Sequence, residues 1–424
     1  MKRIAISTVV AAALVAAAPA FADPRPRPTD SGRAVSVLVP NELQIYNDYA
    51  TEALTYSSRR AVVHYVALGL DAPPLNDDDG NGVPDYVERV GSAADAAIDY
   101  FQSRGFAAIL PDEAGPDARP DLYISRFAPG YFGVAFPAVQ ARGGAFVVVS
   151  NGLDPSPERS LGSLYGTVAH ELFHLVQFSY FPRTVEPEIP DWILEGSAMA
   201  MEGRVYAQLD DLVAALQLRR WFDRPQASIT TQSYGAQLLW RYLDEDRQSL
   251  LPRYLSWLAH RRPDARAAAG LAATYARVTG RPFAAAFGRF AARVAGDYAS
   301  RIRPLRTLAA GGRATGHVAP LAIHFLRLPR PAHTVRLRVT DGRPSVALVY
   351  EQESLYAGHA AVTRRLPARK IEGALVFTIP ASLRQSPRFG LATLVVANGD
   401  PLRPGDYAVA VARNVHPQAT KGAA

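Results

Sequence analysis

The run SLYGTVAHELFHLVQFSY, residues 163–180, places His170 and His174 four positions apart in an apolar setting. Its apolar residues recur at three- and four-residue spacing, which predicts a helix over Thr167 to Tyr180. Residues four apart on a helix share a face and lie about 6 Å apart along its axis, so two imidazoles placed this way reach one zinc ion at about 2.0–2.1 Å. Glu171 falls at the edge of that face, where a carboxylate reaches a metal-bound water without ligating the metal. Histidine is rare in this chain, with nine in 424 residues. Chance therefore supplies an H-E-x-x-H run in fewer than about one such chain in a hundred. The plain alternative is a pair of core histidines on a buried helix.

A catalytic zinc takes three protein ligands and keeps an open position for water. Trp192-Ile193-Leu194-Glu195-Gly196-Ser197-Ala198 offers the third, with Glu195 placed 21 residues after His174. The interval accommodates a turn and a second helix, Pro190 to Glu202, returning to the metal. Glu202 competes for the role and is read instead as an outer partner that orients a histidine.

The two motifs together resemble the gluzincin zinc peptidases, whose third ligand is the Glu of a W-x-x-E-G-x-A segment. His64-Tyr65-Val66, Pro84-Asp85-Tyr86-Val87-Glu88 and Asp121-Leu122-Tyr123-Ile124 precede the zinc motifs in an order similar to a poorly characterised family of secreted bacterial metalloproteases. The resemblance covers roughly residues 60 to 245. It implies zinc on His170, His174 and Glu195, and Glu171 as general base. It also implies a Tyr or His donor beyond the third ligand, for which Tyr234 is the candidate and Tyr206 a poorer one. The Gly143-Gly144 turn and the strand Ala145 to Ser150 precede the zinc helix, as the substrate-pairing edge strand does in gluzincins. A plain sheet strand fits those residues equally well.

Asp77-x-Asp79-x-Asn81-Gly82-x5-Glu88 fits the EF-hand loop pattern. Asp77, Asp79 and Asn81 would supply side-chain oxygens, Val83 its carbonyl, Asp85 a direct or water-mediated contact and Glu88 a bidentate carboxylate to calcium. Pro84 suits a lone calcium turn better than a helix pair. A metal-free Asp/Asn/Gly turn is the alternative.

Lys2 and Arg3, the apolar run Ile4 to Ala18 and Ala20-Phe21-Ala22 read as a signal peptide cleaved near Ala22, with residues 23–34 a flexible leader. An uncleaved anchor is the alternative, although the run is short for a spanning helix of about 20 residues. The absence of cysteine excludes disulfides, thiol nucleophiles and thiolate metal sites. The formal charge of +7 is nearly all arginine, dispersed and without interleaved aromatics. It is read as compositional bias, with no nucleic-acid partner and no stable membrane insertion expected.

The expected fold class is α+β. A gluzincin-like zinc peptidase core at 35–310 has a small N-terminal sheet-and-helix lobe, the calcium-type loop at 77–88 and a helical lobe. Ser92 to Ser103 reads as a helix of the first lobe. A β-sandwich of unknown role follows at 313–424, its strand-like runs beginning with Val318 to Leu328. The expected function is hydrolysis of protein or peptide substrates after export to the periplasm or medium. The alternative is a non-catalytic, metal-stabilised cell-surface or binding protein on the same scaffold.

Overall fold

The computed structural model describes residues 37–38, 44–46, 53–113, 115–127, 129–138, 144–156, 163–182, 188–207, 212–261, 266–328, 332–352, 362–386 and 389–412. The expected signal peptide and leader lie outside them, as do Gly143, His359 and His416. The fold is α+β, with an N-terminal mixed sheet and helices, a helical region, and two C-terminal sheets. It divides into two compact units, residues 1–216 with 251–262, and residues 217–250 with 263–424. Among the described residues, no helix is long and apolar enough to cross a membrane.

In the first unit a seven-stranded sheet comprises β1 (Val37–Leu38), β2 (Gln44–Tyr46), β3 (Leu54–Ser57), β4 (Val62–Tyr65), β5 (Asp121–Phe127), β6 (Gly133–Phe136) and β7 (Phe146–Ser150). Strands β4, β5 and β7 run parallel, with Leu122 opposite both Val63 and Val147. Parallel strands covered on both faces carry unbroken apolar runs, and every residue of β7 is buried. One face packs Tyr123, Phe136, Phe146 and Val148 together. The helices α1 (Asp85–Ser103) and α2 (Leu164–Phe178) pack on the sheet, and α3 (Asp191–Val205) packs on α2.

Helix α2 is the centre of this unit. Ser163 caps it by accepting a hydrogen bond from Gly166 N at 3.4 Å. Twelve of its 15 residues are buried, as expected of a helix apolar all round. Phe173 sits at 5.1 Å from the rings of both Phe101 and Phe106, a contact that fixes α2 against α1. Emptying such a site costs about 3–5 kcal/mol.

Three sequence expectations are corrected here. Strand β7 is no edge, because β5 and β6 flank it; β6 is the edge strand on this side of the sheet. Helix α1 starts at Asp85 rather than near Ser92, so Asp85 and Glu88 occupy its first turn, where the positive end of the helix dipole favours carboxylates. The run Val318 to Leu328 is two strands rather than one, β9 (Arg313–Val318) and β10 (Ala322–Arg327), following β8 (Arg306–Thr307). Pro320 has no N–H for a ladder, and Leu321 turns the chain at φ 51°, carrying it from one sheet to the other.

The helices α4 (Leu212–Asp223), α5 (Gln237–Asp246), α6 (Leu250–Ala259), α7 (Ala267–Thr279) and α8 (Phe283–Asp297) precede the C-terminal strands. These are β11 (Thr334–Asp341), β12 (Ser345–Gln352), β13 (Val362–Leu366), β14 (Ala368–Ile371), β15 (Ala374–Thr378), then a short helix α9 (Ala381–Arg384), β16 (Phe389–Asn398) and β17 (Gly405–Val411). They form two five-stranded sheets, β13-β12-β16-β10-β8 and β14-β15-β11-β17-β9. Leu326, Leu348 and Leu394 of the first share one core with Val335, Leu337 and Val409 of the second. Gly316 has no room for a side chain, because the Tyr407 ring lies 2.4 Å from where a Cβ would sit.

His324 Nδ1 lies 3.1 Å from the Tyr407 hydroxyl in this core. Burial, assisted by Arg306 and His317, brings its pKa down to about 4. The folded state therefore holds the neutral ring, while the unfolded chain protonates near pH 6.5. Stability is complete above that value and falls as the pH drops towards about 4, by up to about 3 kcal/mol. Melting of the wild type and of His324→Gln between pH 7 and 4.5 tests this. The variant should show the flatter dependence; equal slopes would remove His324 as the cause.

Candidate metal centre

His170 and His174 come from α2, and Glu195 comes from α3. Pro190 starts α3, and that start brings Glu195 back to α2. One ligand atom from each of the three lies within 4.8 Å of the others, and all three residues are buried. Glu195 Oε2 is 3.1 Å from His170 Nε2 and 3.8 Å from His174 Nε2. The two imidazole rings stand nearly perpendicular, 4.8 Å between centroids. Among the described residues this is the one such group of three ligands.

The donor set fits a metal ion on two further observations. His174 Nε2 is buried and has no hydrogen-bond partner, an arrangement that costs free energy unless something else occupies the lone pair. The opposite nitrogen, Nδ1, lies 2.7 Å from Gln177 Oε1. The Gln177 amide nitrogen donates to Leu194 O and to Ser197 Oγ, each at 2.9 Å. That assigns Oε1 as the acceptor and the ring proton to Nδ1, so Nε2 presents a bare lone pair to the site. His170 is treated similarly: its Nδ1 lies 3.5 Å from Glu202 Oε2. Glu202 thus stands behind a ligand rather than among the three. Gly166 accommodates it, since a Cβ there would sit 2.7 Å from Glu202 Oε1.

Burial sets the charges of the metal-free site. It pushes Glu171 up to about 8 against the opposing pull of His170. It brings His174 down to about 4, partly offset by Glu195. For His170 burial also acts downward, but hydrogen bonds to Glu195 and Glu202 outweigh it and hold the ring well above its ordinary value. The Glu171 side chain lies against the backbone of the edge strand β6, where a Cβ on Gly133 would come within 2.7 Å of its Cγ. The general-base candidate is therefore held between α2 and the strand that, among the described residues, forms this edge of the sheet.

The other sequence candidates are not among these three ligand residues. Tyr234 belongs to the second unit, half-buried in a single 3-10 turn ahead of α5. The calcium-type loop is exposed from Asp78 to Gly82, and Asp77, Asp85 and Glu88 are half-buried. Asp77 accepts from Gly82 N at 2.8 Å and Asn81 N at 3.1 Å. The Asn81 amide donates to Asp79 Oδ2 at 3.0 Å and to Glu88 Oε1 at 2.9 Å, while Val83 N donates to Asn81 Oδ1. Asp78 N donates to Asp85 Oδ1 at 3.1 Å. Gly80 and Gly82 take left-handed φ values of 70° and 87°, which let the loop close. Of the remaining histidines, His64 is buried, stacked on Tyr123 and 3.1 Å from Asp121.

Sequence reasoning missed Gln177, Gly133 and Gly166. Gln177 was legible, since position i+3 from His174 shares its helix face; the two glycines were not, because their neighbours are remote in sequence. Gln177→Ala should weaken metal binding by about 10–100-fold. Gln177→Glu, which keeps an acceptor for Nδ1, should retain most of the affinity. Competition against a chromophoric chelator measures both, and wild-type affinity in Gln177→Ala would reduce the contact to packing.

No family model matches this chain, and no curated protein matches it. The functional reading rests on the geometry of the site.

Proposed function

We propose that the chain is an exported zinc-dependent peptidase of gluzincin type, with His170, His174 and Glu195 as the zinc ligands. The convergence of those three ligand atoms within 4.8 Å beside a buried Glu171 carries the reading. Two imidazoles and one carboxylate suit zinc and leave a position for water. When bound, zinc supplies a Lewis acid for the scissile carbonyl and lowers the pKa of a water. The Glu171 carboxylate would take a proton from the attacking water and return it to the leaving amine. Glu202 and Gln177 hold the two imidazoles in orientation. The edge strand β6, rather than β7, offers unpaired backbone groups to an extended peptide. Tyr234 is retained as the proposed donor to the carbonyl oxygen.

Turnover of casein or a peptide library by the purified chain tests the proposal. Activity should vanish with a chelator and return with zinc. Metal binding without any hydrolysis would favour a non-catalytic, metal-stabilised binding protein.

The loop 77–88 is proposed as a calcium turn, on the ligand pattern of Asp77, Asp79, Asn81, Val83, Asp85 and Glu88. Millimolar calcium should raise the melting temperature by mass action, and Asp77→Ala with Asp79→Ala should abolish the rise without removing zinc. An unchanged melting temperature would leave a plain turn.

A further inference from the structure

The positive charge of this chain is unevenly placed. Residues 313–424 hold 15 of the 46 basic residues and only 6 of the 39 acidic ones. That segment carries +9, and the rest of the chain −2. A genome-wide preference for arginine raises basic residues everywhere; it does not deplete acids from one segment alone. Charge asymmetry of this kind points to an anionic partner.

The sheets place the charge. Helix α8 lies across β12 and β16 and so covers the outer face of the first sheet. On the second sheet Val335 and Leu337 turn inward to the core, so Arg336 and Arg338 project from the opposite face, and both are exposed. The register aligns Arg369 with Val376, Val376 with Arg336, Arg336 with Ala410 and Ala410 with Arg313. Three exposed arginines thus form one row across five strands, on alternate strands and so about 9.6 Å apart. Small side chains at Ala408 and Ala410 keep the face between them low. Arg338 adds a fourth guanidinium in the next row. Among the described residues two carboxylates stand on this face: Glu372, 2.6 Å from Arg336, and Asp406 at its far end, 2.6 Å from His317.

From this row we infer that the outer face of the second C-terminal sheet is a docking surface for an extended acidic polysaccharide. Guanidinium forks match carboxylate and sulfate groups in bidentate geometry, and spaced charges on a flat face suit a stiff chain of repeating anions better than one compact anion. The row itself carries no aromatic ring on which bases could stack, as single-stranded nucleic acid requires. It presents no helix or two-stranded ribbon to enter a DNA groove. Among the described residues Ile371 is the one exposed large apolar side chain on this face, too little to anchor it in a bilayer.

The test uses the full chain and two variants of equal net charge. One reverses the row, Arg313→Glu with Arg336→Glu and Arg369→Glu. The other reverses three exposed arginines elsewhere in the same unit, Arg219→Glu with Arg220→Glu and Arg364→Glu. Probes are heparin, polygalacturonate, a DNA duplex and phosphatidylglycerol-containing vesicles, at matched ionic strength, with circular dichroism to confirm folding. Binding of heparin or polygalacturonate should weaken about a hundredfold in the row variant, with a shallower salt dependence, and far less in the control. Equal losses in the two variants would reduce the effect to net charge and overturn the inference. So would tighter binding of DNA or vesicles than of either polysaccharide, or no polysaccharide binding at all.

Discussion

Glu171→Gln is expected to leave zinc bound at one ion per chain while lowering kcat/KM on a peptide substrate by about a thousandfold. Glutamine has nearly the shape of glutamate, so it fits the space between α2 and the backbone at Gly133, where no side chain at 133 would be tolerated. It carries no charge, and burial already drives the Glu171 carboxyl towards its neutral form in the metal-free site. Folding should therefore be little affected. What glutamine cannot do is accept a proton. Metal analysis beside steady-state kinetics on the same preparation separates the two roles. Undiminished turnover would remove Glu171 as the base, and loss of zinc would show that it ligates.

His174→Ala should abolish stoichiometric zinc. The affinity loss should exceed the 10–100-fold expected from removing an outer partner such as Gln177. In the proposed site three ligands would hold the ion, and the ring at 174 supplies a nitrogen otherwise left buried without a hydrogen bond. Deleting it also strands the Gln177 carbonyl oxygen inside α2 and α3. Glu195→Ala should behave like His174→Ala, and Glu202→Ala like an outer-partner loss, because Glu202 faces the far nitrogen of His170. Competition with a chromophoric chelator ranks the four variants. Comparing each melting temperature with that of the metal-free wild type keeps misfolding distinct from ligand loss. Tight zinc in both His174→Ala and Glu195→Ala would dismantle the assignment.

The sequence by itself determined the metal helix. The four-residue interval between His170 and His174, in an apolar run, is enforced by helical geometry whatever surrounds it. It also placed Glu195 on a second helix and separated the α-rich region from the β-rich end. Local pattern was sufficient there because each reading depends on residues within one element. It failed where a short apolar run fits several states, as at β6. It failed too at Val318 to Leu328, where the alternation hides a change of sheet. Only the tertiary structure decided which strand forms the edge beside Glu171, because pairing partners are chosen by packing across the whole sheet. Only the strand register gathered Arg313, Arg336 and Arg369 into one row. These arginines are dispersed along the chain and read there as composition; hydrogen bonding between strands distant in sequence makes them neighbours in space.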